Sequence, residues 1–93
     1  MSFYVYAIGP IDGPIKIGFT NNLDTRLRAI QTGNPLPVKI HHFIKFDNEN
    51  DMRKAEKTLH ETLRHIRKKG EWFDLSPDNA KLELDYIMIR RPF

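Results

Sequence analysis

Apolar residues recur along this chain with two different periods, and the changes of period mark out its elements. From Phe3 to Ile8 they alternate as in a strand, with Tyr4, Tyr6 and Ile8 on one face and Phe3, Val5 and Ala7 on the other. Gly9 to Pro14, with Asp12-Gly13 between two prolines, predicts a hairpin-type turn. Ile15 to Phe19 is the returning strand: Ile15, Ile17 and Phe19 face one way, Lys16 and Gly18 the other. An antiparallel pair built this way sets Tyr6 and Lys16 on the same face. A glycine inside a strand weakens it unless another group must come close. Gly18 is therefore expected to open the sheet to a phosphate, a metal or a side chain.

The period then lengthens. Thr20, Asn21 and Asn22 are capping residues, and Leu23, Leu27 and Ile30 follow as a helical stripe that Thr32-Gly33-Asn34-Pro35 ends. Arg26 lies at the edge of that stripe and Arg28 well away from it. Val38 to Phe46 predicts a third strand of imperfect alternation, with His41-His42 putting one imidazole on each face. Asp47 to Asp51 is a polar turn with Asn48 as N-cap, leading into a long helix from about Glu49 to Arg67. Its core face is Met52, Ala55, Leu59, Leu63 and Ile66. Glu56 stands one step off that face, a single carboxylate in a flank otherwise lined by His60, Arg67, Arg53 and Arg64. Lys68-Lys69-Gly70 ends the helix, and Glu71 to Leu75 is a short extended piece anchored by Trp72 and Phe73. Ser76-Pro77 starts a last helix, roughly Pro77 to Ile89, with Ala80, Leu84, Ile87 and Met88 available for packing. Arg90-Arg91-Pro92-Phe93 is a basic tail.

These elements predict one domain over residues 1–93, of α/β (α+β) class: a small, mainly antiparallel three-stranded sheet flanked by helices, in the order ββαβαα. A chain of 93 residues buries one core, so a site must lie in a shallow groove or on the surface. No apolar run approaches a membrane span and no signal peptide is evident, which predicts a cytoplasmic protein with no membrane partner. There is no cysteine, which excludes disulfides and thiolate metal sites. The net charge of +3 and pI near 9.3 are compatible with a polyanionic partner without requiring one.

The stretch Tyr4 to Arg28 resembles the GIY-YIG nucleases. Tyr4-Val5-Tyr6 stands where that family carries Gly-Ile-Tyr, Lys16-Ile17-Gly18 where it carries Tyr-Ile-Gly, and Arg26 follows the glycine by eight residues, as the family's arginine does. Ala55-Glu56-Lys57-Thr58-Leu59-His60 fits the helix that carries the family's metal-binding glutamate, with Glu56 in its place. Leu59-His60 and Gly70-Glu71-Trp72-Phe73 are similar to a branch that reads KIG instead of YIG, met in phage-type and "meiotically up-regulated gene 113"-type domains. The resemblance implies a magnesium- or manganese-dependent endonuclease acting on DNA. It departs from the family at Tyr4, which replaces a glycine, and at Lys16, which replaces a tyrosine.

The residue types suit that chemistry. Phosphodiester hydrolysis needs a base for water, stabilisation of the phosphoryl oxygens and help for the leaving oxygen. The resemblance assigns Glu56 to the metal and Arg26, a planar bidentate cation, to the phosphate. Tyr6 is the expected base or water-activating group, and Lys16 either lowers the pKa of Tyr6 or stabilises the anion. Gly18, Thr20, Asn22 and His60 are second-tier positioning residues, and Arg53, Arg64, Arg67, Lys68 and Lys69 the expected DNA footprint.

Taken singly, each residue also fits an ordinary role. Tyr6 suits a half-buried strand position, Lys16 a solvated one, and Arg26 and Glu56 surface charges or a mutual ion pair. Two rival functions follow: a non-catalytic DNA-binding module on the same scaffold, or a protein-interaction domain in the form of a homodimer; a second copy of the chain is a candidate partner under the nuclease reading too.

Overall fold

The computed structural model describes residues 2–91; Met1 and the Pro92-Phe93 part of the expected basic tail lie outside them. Strand β1 (Phe3–Gly9) and β2 (Ile15–Thr20) form the hairpin, α1 (Leu23–Thr32) follows, and β3 (Lys39–Phe46) returns to the sheet. Helix α2 (Glu49–Thr62) leads through a 3₁₀ turn (Arg64–Ile66) into two short strands, β4 (Arg67–Lys69) and β5 (Trp72–Phe73), before α3 (Pro77–Arg90).

Among the described residues the sheet therefore has five strands, not the expected three, in the spatial order β3-β1-β2-β5-β4 with every pairing antiparallel. The order ββαβαα is corrected by the same finding, because β4 and β5 stand between α2 and α3. The expected helix to Arg67 also stops early. Leu63 and Ile66 continue the apolar spacing, but Ile66 is needed elsewhere: its carbonyl accepts from the Asp74 amide at 2.8 Å as Arg67 pairs with Phe73. Long-range pairing overrides a local helical pattern here. The outermost strand, Arg67-Lys68-Lys69, is wholly exposed, and its charges keep that free edge from pairing with another sheet.

Register places Tyr6 opposite Gly18 and Ile8 opposite Lys16, so these four residues share a face. On the other face Val5, Ala7, Ile15 and Ile17 pack with Met52, Ala55 and Leu59 of α2 and Ala80, Leu84 and Ile87 of α3. The Tyr6 face carries a smaller cluster, Tyr6, Ile8 and Ile30, ringed by Leu23, Leu27, Val38, Ile40 and Trp72. The uneven alternation in β3 has a local cause. The pairing with β1 slips between Ala7 and Ile8, leaving His41 outside the ladder, where its Nε2 donates to the Gly9 and Pro10 carbonyls at 3.0 and 2.9 Å. His42 reaches the other way and lies 2.6 Å from Asp85 of α3.

No helix among the described residues is long and apolar enough to cross a membrane.

Candidate functional site

Tyr6 is the hub. It is fully buried, not half-buried, and its hydroxyl has no hydrogen-bond partner within bonding geometry among the described residues. Gly18 makes room for it. A Cβ on Gly18 would run into the Tyr6 hydroxyl, with the ring's Cζ at 2.7 Å and Glu71 Oε1 at 3.0 Å. The space left by the missing side chain is thus taken by a phenol and a carboxylate. Burial pushes the Tyr6 pKa up to about 12; the Arg26 guanidinium opposes this, and Glu71 and Glu56 add to it. The net shift is upward, so the lowered phenol pKa expected from the sequence is corrected to a raised one.

Arg26 is aimed by the start of α1. Thr20 is buried, its hydroxyl donating to the Asn22 carbonyl at 3.2 Å and accepting from the Asn22 amide at 3.1 Å. Asn22 Oδ1 then accepts from the Thr25 amide at 3.1 Å and caps the helix four residues before Arg26. Thr20 and Asn22 so fix the turn that brings Arg26 to the phenol. Two shallow recesses meet at Arg26. One, of about 230 Å³, is lined also by Phe19, Thr20 and Glu49. The other, of about 290 Å³, is lined by Lys16, Trp72 and Asn34.

Glu56 comes from α2 and reaches the same place. One ligand atom each from Glu56, His60 and Glu71 lie within 4.8 Å of one another. The Glu56 carboxyl is held above the usual carboxylate range, by burial first; His60 and Arg53 oppose the shift and the neighbouring Glu71 reinforces it. The expected lone carboxylate is in fact one of two. Glu71 arrives because β5 pairs with β2: Lys16 sits opposite Trp72, and the Ile17 amide donates to the Glu71 carbonyl at 3.0 Å. Gly70, at φ 58°, makes the turn that precedes it.

His60 holds the joint between α2 and β2. Its Nε2 lies 2.7 Å from the Ile17 carbonyl, an acceptor only, so this nitrogen carries the proton. Ile17 thereby directs its amide to Glu71 and its carbonyl to His60, so both its backbone groups are paired where β5 runs out. The imidazole also packs edge-on against Phe73, 5.0 Å between centroids, and stands 3.8 Å from Glu56 Oε2. Lys16 Nζ lies 3.9 Å from Glu71 Oε1 and 5.8 Å from the centre of the Trp72 ring.

The five basic residues of the expected footprint are all exposed, on three different elements. Arg53, on α2, stacks over Phe19 at 4.9 Å and stands 3.6 Å from Glu49. Arg64 is in the 3₁₀ turn, and Arg67, Lys68 and Lys69 form β4. Arg67 Nε donates to the Gly70 carbonyl at 2.7 Å, closing the turn that carries Glu71.

Glu71 is the site residue missed by reading the sequence as periods. Trp72 and Phe73 drew the eye as core anchors, yet anchors in a short strand also fix the side chain before them. A glycine followed by an acid and two large aromatics was the available signal.

Comparison with known proteins identifies relatives of the chain. The T5orf172 domain matches residues 2–87. A UPF0213 protein of Bacillus licheniformis is 32% identical over 62 residues, covering 59% of this chain and 64% of that protein. The chain thus spans just under two thirds of that relative's length. No solved structure matches it.

Proposed function

We propose, from the premise that this chain belongs to the T5orf172 domain family, that it is an endonuclease cutting DNA phosphodiester bonds with a divalent cation. The observation that carries the reading is the convergence on one buried, unpartnered phenol of an arginine and two carboxylates from separate elements. A structural core has no use for such a group, since an unpaired buried hydroxyl costs about 1–3 kcal/mol.

The donor set fits a hard cation: carboxylate oxygens beside a phenol, with no sulfur. Glu56 would hold Mg²⁺ or Mn²⁺, which supplies a Lewis acid for the phosphoryl and leaving oxygens. Arg26, at the meeting of the two recesses, takes the scissile phosphate through its bidentate fork. Tyr6 keeps its proton at neutral pH and offers its oxygen to orient the attacking water. It becomes a base only as positive charge enters the cluster. Lys16 adds a second cation beside the phosphate. Arg53, Arg64, Arg67, Lys68 and Lys69 bind the flanking backbone, which carries affinity but no base preference.

The test is incubation with supercoiled plasmid and Mg²⁺, beside Glu56→Ala. The expected result is nicking by the wild type, blocked by EDTA and about 100-fold slower in the variant. A retarded band without nicking in either protein would make this a binding module. Neither nicking nor retardation at low salt would favour a protein-interaction domain.

A further inference from the structure

The resemblance to known nucleases supplies one metal-binding glutamate, Glu56. We infer that Glu71, delivered by the β4–β5 turn, is a second carboxylate ligand of the same cation. This deepens the proposed nuclease reading and rests on it for the identity of the site.

Three observations converge on Glu71. Its carboxylate lies in the group of oxygen and nitrogen atoms, all within 4.8 Å of one another, that includes Glu56. Two oxygens on one Mg²⁺ or Mn²⁺ stand about 3 Å apart when adjacent and about 4 Å when opposite. Small rotations of two side chains that are only partly enclosed, 14% and 40% exposed, close that gap. Secondly, Glu71 Oε1 and the orphan Tyr6 hydroxyl crowd the same vacancy above Gly18, so an unpartnered, fully buried oxygen is aimed into the acidic pair. Two carboxylates so close repel, and a dication at the pair would relieve that repulsion. Thirdly, His60 Nε2, the nitrogen that stands 3.8 Å from Glu56, donates its proton to the Ile17 carbonyl and so offers the cation no lone pair. The two carboxylates and the phenol are oxygen donors, the kind preferred by hard cations. Lys16, 3.9 Å from Glu71, serves as partial counter-charge until a cation arrives.

A second ligand also gives the β4–β5 turn a purpose beyond extending the sheet. Arg67 closes the turn onto Gly70, Trp72 and Phe73 anchor it, and Glu71 is the side chain so presented.

The inference is tested by titrating Mn²⁺ into the protein alone, without DNA, and reading free Mn²⁺ by electron paramagnetic resonance. Wild type is compared with Glu71→Gln and Glu56→Gln, all three checked for folding by circular dichroism. The expected result is Mn²⁺ binding by the wild type, weakened about 10- to 100-fold by either substitution. A Mn²⁺-dependent rise in melting temperature should likewise be lost in both variants. Wild-type affinity in Glu71→Gln overturns the inference, as does a wild type that leaves millimolar Mn²⁺ free. Plasmid nicking, run in parallel, separates the two readings. If Glu56→Gln loses binding and nicking while Glu71→Gln keeps both, the endonuclease stands and the second ligand falls. If binding needs both carboxylates and no protein nicks, the cation site stands and the endonuclease falls.

Discussion

Beneath α2 and α3 the sheet buries Val5, Ala7, Ile15 and Ile17 against apolar side chains. Beneath α1 it buries Tyr6, Ile8 and Ile30 and then runs into Arg26, Lys16, Glu56 and Glu71. The first face repays the cost of ordering the chain; the second spends some of that stability on an unpaired hydroxyl and two crowded carboxylates. A domain this small can carry the second face only because the first is so complete.

The largest expected effect should fall on the apolar face and leave the chemistry alone. Leu84→Ala removes a fully buried side chain of α3 and should cost about 2–5 kcal/mol, measured by urea unfolding. Nicking per folded molecule should not change. If it falls further than the folded fraction does, the two faces are not separable.

Gly18→Ala sits on the boundary. Its Cβ would have to displace Tyr6 or Glu71, and both belong to the site. The expected cost is about 1–3 kcal/mol, with nicking lost even where the protein remains folded. Unchanged stability would mean that Tyr6 can swing aside and that the phenol is not held in place.

Tyr6→Phe should separate stability from function by moving them in opposite directions. Deleting the orphan hydroxyl should stabilise the protein by about 1 kcal/mol at pH 7 and abolish nicking. Raising the pH sharpens the contrast. The Tyr6 pKa is raised from 10.0 to about 12 on folding, so its contribution is fully present below pH 10 and is lost as pH climbs through 12. At about 1.4 kcal/mol per pKa unit, the wild type should lose up to about 3 kcal/mol relative to Tyr6→Phe over that range. Denaturant midpoints at pH 9, 10.5 and 12 would show the difference. A constant gap would mean that the phenol ionises as freely as in the unfolded chain.

The apolar face was almost wholly legible in the sequence, because alternation and helical spacing are direct records of what is buried: Met52, Ala55 and Leu59 lie where their spacing puts them. What period could not reveal was pairing between distant segments. Leu63 and Ile66 continue a helical pattern, but the Ile66 carbonyl is claimed by Asp74, so the helix yields to β4. The site was legible in the same uneven way. The juxtaposition of Tyr6 and Gly18 follows from a hairpin register, and that of Arg26 from a cap. Glu71 depends on β5 joining β2, an event between residues far apart in the chain. The pKa of Tyr6 was misjudged for a related reason, since nothing local says that a strand tyrosine will be enclosed on every side.

The smallest expected effect concerns the basic residues of β4, which admit two physical explanations. On the free edge of the sheet, Lys68 and Lys69 deter strand addition whatever else they do. If they also contact phosphates, each releases about one counterion on binding DNA. Substituting both by Gln should then lower the slope of log Kd against log salt by about 2, with folding unchanged. Arg67→Gln should do more than the same count of charge, because Arg67 Nε also holds the Gly70 carbonyl at the turn before Glu71. It should weaken Mn²⁺ binding as well as the salt slope, whereas the lysine pair should affect the slope alone. An unaltered slope in the lysine variant, with new concentration-dependent association, would make β4 an edge guard, leaving phosphate contact to Arg53 and Arg64.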